Sequence, residues 1–125
     1  MNSPITNKIN TIFVHVSDLK TSVKWYLQLL GQDCDSASIE RPVYNIKIAD
    51  HTGLTLDAGP KEALTKDSSP NEKPLFNFHT EDIDDSYAYV KELGYKIKSE
   101  IVRFNDFSFF TIFDPDRNVI MICTG

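Results

Sequence analysis

Apolar and polar positions alternate along "TIFVHV" (11–16): Ile12, Val14 and Val16 share one side and Thr11, Phe13 and His15 the other. The pattern predicts a strand with one face made for a core and one face of mixed character. Directly after it the period lengthens, and Leu19, Val23, Tyr26, Leu27 and Leu30 recur at helical spacing. Ser17 or Asp18 is placed to cap this helix and Gly31 to end it. Three extended segments follow, at about 36–40, 43–49 ("VYNIKIA") and 54–58 ("LTLDA"), with the turn "DHTG" joining the last two. "GPKEALTKDSSPNEKP" (59–74) loses the periodicity, gathers Pro, Ser, Lys and Asp, and reads as a linker. Beyond it the order returns: strand "LFNFHT", helix "DIDDSYAYVKEL" stopping at Gly94, strand "YKIKSEIV", strand "DFSFFTIF", turn "DPDRN", strand "VIMIC".

The chain therefore reads as α+β, two tandem βαβββ modules at about 8–58 and 74–125 with a linker at about 59–73. "IFVHVSDLKTS" and "FNFHTEDIDDS" align without gaps, pairing Asp18 with Asp82, His15 with His79, Phe13 with Asn77 and Thr11 with Leu75. Matching the turns "DHTG" and "DPDR" pairs Asp57 with Met121. The repeated order of elements carries this duplication more than the identities do. Alternation in the second module puts Phe76 and Phe78 on the core side and Leu75, Asn77 and His79 opposite. A face that mixes His, Asn, Thr, Phe and Leu suits neither a dry core nor open solvent, and it points to a ligand cavity. In "FNDFSFFTIF" Phe107, Phe109 and Thr111 share one face and Ser108, Phe110 and Ile112 the other, and alternation alone leaves open which of them lines that cavity.

Composition narrows the class. A chain of 125 residues with 41% hydrophobic residues supports one ordinary core's worth of burial and is too short for two conventional domains. A net charge of −5 argues against a generic nucleic-acid surface. Cys34 and Cys123 stand far apart, with no C-x-x-C pair, so neither a disulfide framework nor a thiolate zinc site is indicated. "MNSPITNKIN" has no apolar signal core, and no apolar run approaches the roughly 18 residues of a spanning helix. The expected compartment is the cytoplasm, without membrane insertion.

"TIFVHVSDLKTSVKWYLQLLG", "FNFHTEDIDDSYAYVKELG" and "FDPDRNVIMI" together resemble the vicinal oxygen chelate superfamily, which includes glyoxalase I, bleomycin-resistance proteins and extradiol dioxygenases. The resemblance rests on the strand-to-helix entry of Asp18, Leu19, Ser22, Trp25 and Tyr26 and on the hairpin of Asp114, Pro115, Asp116 and Asn118. It implies two βαβββ modules forming a half-open mixed β-barrel with helices outside, and a homodimer. It also implies metal-ligand positions, which here hold Thr11, Asp57, Leu75 and Met121. Only Asp57 among them is a credible ligand for a hard divalent cation. No metal of the superfamily's usual kind and no other cofactor is therefore expected.

His15 and His79 are expected to point into the cavity as ligand contacts or acid–base groups, or as half-solvated polar residues without chemistry. A zinc site of His15, His79 and Asp57 is a further possibility to test. His51 is placed in a surface turn, and Trp25 and Tyr26 are read as packing residues. The leading reading is a small-molecule-binding protein or degenerate enzyme that holds an organic ligand with Thr11, Phe13, His15, Asp57, Asn77, His79 and Met121, no catalytic residue being assigned. The alternatives are a metal-dependent lyase or dioxygenase with a displaced site, and a dimeric interaction module without small ligand.

Overall fold

The computed structural model describes residues 2–35, 38–49, 52–59 and 72–125. The chain divides into two units, 1–66 and 67–125. In the first, strand β1 (Thr11–His15) leads to helix α1 (Leu19–Leu29), then β2 (Val43–Lys47) and β3 (Gly53–Asp57). β3 is central, parallel to β1 and antiparallel to β2. In the second, β4 (Pro74–His79) leads to α2 (Ile83–Leu93), β5 (Ile97–Arg103), β6 (Ser108–Phe113) and β7 (Val119–Cys123). Its strand order is β4-β7-β6-β5, with only the β4–β7 pair parallel. The fold is α+β in two modules, each with one helix and one open mixed sheet.

Among the described residues the first module shows one strand fewer than its sequence suggests. Of the extended segment expected at about 36–40, the described residues 38–40 form no strand. Ser38 instead closes a turn on Asp35, donating to its carbonyl from the backbone N–H (3.1 Å) and from Oγ (2.8 Å). A serine that bonds the nearby backbone in this way competes with a strand ladder. His51 and residues 60–71 of the expected linker lie outside the described residues.

Both helices start and stop as their caps dictate. Asp18 accepts from the Thr21 N–H (3.2 Å) and Asp82 from the Asp85 N–H (3.0 Å), each satisfying a donor that the first turn leaves unpaired. Gly94 ends α2 at φ 78°, a left-handed conformation that glycine adopts without a Cβ clash. α1 buries Leu19, Val23, Tyr26 and Leu27 and lies against β2 and β3, whose Ile46, Leu54 and Leu56 are buried, as is Val14 of β1. Tyr26 is fully buried while Trp25 is half-buried edge-on to it, 4.7 Å between centroids, consistent with packing roles for both. α2 covers β5, β6 and β7, and Ile83, Val90, Phe110, Ile112, Ile120 and Ile122 form the second core.

The duplicated helix entry has diverged in the bonding of one serine hydroxyl. Ser86 Oγ lies 2.7 Å from Thr80 Oγ1 and 2.9 Å from the Asp82 carbonyl. Its counterpart Ser22 is fully buried with no partner for its hydroxyl, because Val16 stands where the second module has Thr80. An unmet buried hydroxyl costs free energy that a met one does not. Ser22→Ala is accordingly expected to be neutral or stabilising, and Ser86→Ala to cost about 1 kcal/mol. Urea unfolding of the two variants checks this, and equal losses would refute the account.

Candidate functional site

Each module turns one sheet face toward its helix and leaves the other open. In the first, the ladders set Phe13 beside Thr55 and Thr55 beside Asn45, and His15 beside Asp57 and Asp57 beside Val43. Thr11, Gly53 and Lys47 complete a third row. Phe13 is 63% exposed and His15 and Asn45 are exposed, whereas Val14, Ile46 and Leu56, which alternate with them, are buried. The mixed and apolar faces are thus assigned as alternation predicts. Asp57 is half-buried, and its Oδ1 accepts from the Gly59 N–H at 2.8 Å.

In the second module Asn77, Met121, Thr111 and Ser99 form one row and His79, Cys123, Phe109 and Val102 the next. Asn77 Nδ2 lies 3.9 Å from Met121 Sδ, a weak contact, and Thr111 Oγ1 donates to Ser99 Oγ at 2.8 Å. His79 is exposed, with Nε2 3.4 Å from Glu81 Oε1. The open choice in "FNDFSFFTIF" is settled: Phe110 and Ile112 are fully buried on the α2 side, and Phe110 meets Tyr87 edge-on at 5.1 Å. Phe109 and Thr111 therefore belong to the open face. Phe104, Phe107 and Phe109 cluster at its rim with centroids 5.0 to 6.2 Å apart.

Of the residues singled out in the sequence, Thr11, Phe13, His15 and Asp57 come together on the first open face and Asn77, His79 and Met121 on the second. Thr55 and Asn45 were missed, as were Thr111 and Ser99 as a bonded pair. The alternation of Val43, Asn45 and Lys47 against Tyr44 and Ile46 was the available signal for Asn45. The ladders also correct one correspondence. Phe13 and Asn77 match in sequence, but Phe13 faces Thr55 while Asn77 faces Met121. By pairing, Met121 answers to Thr55 and Cys123 to Asp57, because the chain from Asn77 to its partner Met121 is two residues longer than the chain from Phe13 to its partner Thr55.

That register bears on metal binding. Three of the four positions that the resemblance implies carry a hydroxyl (Thr11), a hydrocarbon (Leu75) and a thioether (Met121), none of which is a strong donor to a hard cation. Asp57, the one carboxylate, is already bonded to the Gly59 N–H. These residues do not fit a metal of that kind. Among the described residues no three His, Cys, Asp or Glu side chains gather closely enough to hold an ion.

A separate depression of about 360 Å³ at the start of α1 is lined by Ser17, Asp18, Leu19, Lys20, Ile39 and Arg41. Two of its charged groups are engaged in the fold: Asp18 caps the helix, and Arg41 Nη2 donates to the Ala58 (2.9 Å) and Gly59 (3.1 Å) carbonyls. Away from both open faces, the Tyr95 phenol between α2 and β5 is pushed up to about 12, first by burial and then by nearby Tyr89.

The model of the Glyoxalase/Bleomycin resistance protein/Dioxygenase superfamily matches residues 8–122. The chain belongs to that superfamily. A comparison with curated proteins gives no match. Among solved structures, a glyoxalase/dioxygenase from Nostoc punctiforme is similar at 20% identity, covering 98% of this chain and 97% of that one, with a TM-score of 0.72. A lactoylglutathione lyase from Agrobacterium tumefaciens is similar at 14% identity, covering 95% and 94%, with a TM-score of 0.69. An oxidase is similar at 17% identity, covering 96% and 97%, with a TM-score of 0.70. At these identities the likeness establishes the glyoxalase-type fold and leaves the chemistry to the site. Among the described residues no helix is long and apolar enough to cross a membrane.

Proposed function

We propose that this superfamily member binds a small organic molecule on its open sheet faces and does so without a metal at the superfamily's usual positions. The observation that supports the reading is the donor set: of the four positions that the superfamily resemblance implies, Thr11, Leu75 and Met121 are poor donors to a hard cation and Asp57 is the one carboxylate. On the first face Phe13 offers exposed apolar area with His15 and Asp57 as polar groups, and on the second Asn77 and His79 offer polar contacts. A pocket surface that is largely apolar with a few fixed polar groups favours a neutral organic ligand over a small ion.

Thermal-shift titrations of chelator-treated, untagged protein test the reading. A ligand that binds only the native state stabilises it by RT ln(1 + [L]/Kd), so a bound metabolite raises Tm and a non-bound metal does not. The expected result is no shift with Zn²⁺, Ni²⁺, Mn²⁺ or Fe²⁺ and a shift with at least one fraction of an extract of small metabolites. One metal per chain after purification, lost in His15→Ala or Asp57→Ala, would overturn the metal-free reading and favour a metal-dependent lyase or dioxygenase with a displaced centre, for which the His15–Asp57 pairing supplies two donors.

A further inference from the structure

We infer that Asn45 selects ligands that carry a hydrogen-bond acceptor, a carbonyl above all, on a planar apolar frame. The inference rests on the binding role proposed above and names the ligand class for the first open face. Thr55 sits between Phe13 and Asn45 in one row of the sheet and is only 7% exposed. Its Oγ1 donates to Asn45 Oδ1 at 2.5 Å. That separation suits a hydroxyl O–H meeting a carbonyl oxygen better than an amide N–H meeting a hydroxyl, whose bonds are longer, about 2.7–3.2 Å. The bond therefore fixes which way the carboxamide faces. Oδ1 is turned to Thr55, and the amide nitrogen is the end left for a ligand, with no protein acceptor for it among the described residues.

The consequence is a donor of fixed orientation in the same row as an aromatic ring, with the central strand between them. Across the row Phe13 is 63% exposed, a flat apolar surface on which a planar ring can lie. A compound stacked on Phe13 with a carbonyl directed over Thr55 meets the Asn45 N–H, whereas the same frame without the carbonyl leaves that donor unmet. A ligand that covers this exposed amide without accepting from it takes away its water and leaves the donor unmet, which discriminates more than the bond itself attracts. Thr55 is a positioning residue in this scheme: it touches Asn45 and sets its orientation.

Coumarin and 2H-chromene, which differ by the lactone carbonyl, serve as probes. ¹⁵N-resolved NMR titration of the full chain should show the Asn45 side-chain amide shifting with coumarin and coumarin binding about five- to tenfold more tightly than 2H-chromene, the ratio expected for one hydrogen bond. Asn45→Asp replaces the amide donor with an oxygen of the same shape, and Thr55→Val removes the hydroxyl that orients it. Both should bring the ratio toward one by weakening coumarin more than 2H-chromene, whereas a merely structural role for either residue would weaken the two probes alike. Equal binding of the two probes to the unaltered protein, or a ratio that survives Asn45→Asp, overturns the inference. If neither probe binds while metabolite fractions still raise Tm, the ligand class is wrong and the binding role stands. If nothing stabilises the protein, both fall.

Discussion

Replacing Asp114 with alanine is expected to destabilise the protein by about 3–5 kcal/mol, read as a lowered urea midpoint with an unchanged slope. The residue begins the "DPDRN" hairpin between β6 and β7 and is only 4% exposed. Its Oδ1 accepts from the backbone N–H of Asp116 at 2.9 Å and of Asn118 at 2.8 Å, and its Oδ2 accepts from Asn118 Nδ2 at 2.8 Å. Asn118 is itself 2% exposed, so alanine strips acceptors from donors that water barely reaches. Hydrogen bonds to a charged group contribute roughly 1.5–3 kcal/mol each, and orphaned partners add their own desolvation cost. The same bonds hold Arg117 at φ 64°, which a non-glycine residue adopts only where its surroundings over-determine it. Asp114→Asn keeps one acceptor oxygen and should lose less. Asp106→Ala, at an exposed position nearby in sequence, should stay within about 0.5 kcal/mol. A midpoint for Asp114→Ala matching that of Asp106→Ala would show that the hairpin is held by something else.

The motif that carries the superfamily resemblance is, in this chain, a folding device. Asp114 and Asn118 spend their polar atoms on the turn, and Asp18 spends its carboxylate on the α1 cap. Such residues are legible in sequence because local bonding sets their spacing. Leu19, Val23, Tyr26 and Leu27 are legible for a related reason, since a period of 3.6 puts them on one face whatever they pack against. Two features were not legible. The extended segment near 36–40 has residues that a strand tolerates, yet the Ser38 bonds to the Asp35 carbonyl take the backbone elsewhere. The match of Asp57 to Met121 followed the turns, while the true partners depend on parallel registers that differ between β1–β3 and β4–β7. Register is a long-range property, and two extra residues in the chain between paired strands leave no mark in alternation counted along one strand.

The assignment of faces in "FNDFSFFTIF" yields the second large effect, because neighbouring phenylalanines there have opposite fates. Phe110→Ala is expected to cost about 3–5 kcal/mol, the usual range for truncating a fully buried aromatic ring. Phe110 is 0% exposed, edge-on to Tyr87 at 5.1 Å, and paired with Ile122 on the α2 side of the sheet. Deleting the ring removes its transfer free energy and leaves a cavity that the flanking ladders hold open. Phe104, 54% exposed at the rim of the open face, has far less burial to lose, and Phe104→Ala should cost below about 1 kcal/mol. Urea unfolding of both variants, with Phe110→Leu as the volume-sparing control, measures the difference directly. If Phe104→Ala proves as costly as Phe110→Ala, the rim aromatics are packed as a core and cannot serve as open ligand surface. If Phe110 alone is critical, α2 holds its sheet through that side of β6, and the other side is left to meet a ligand.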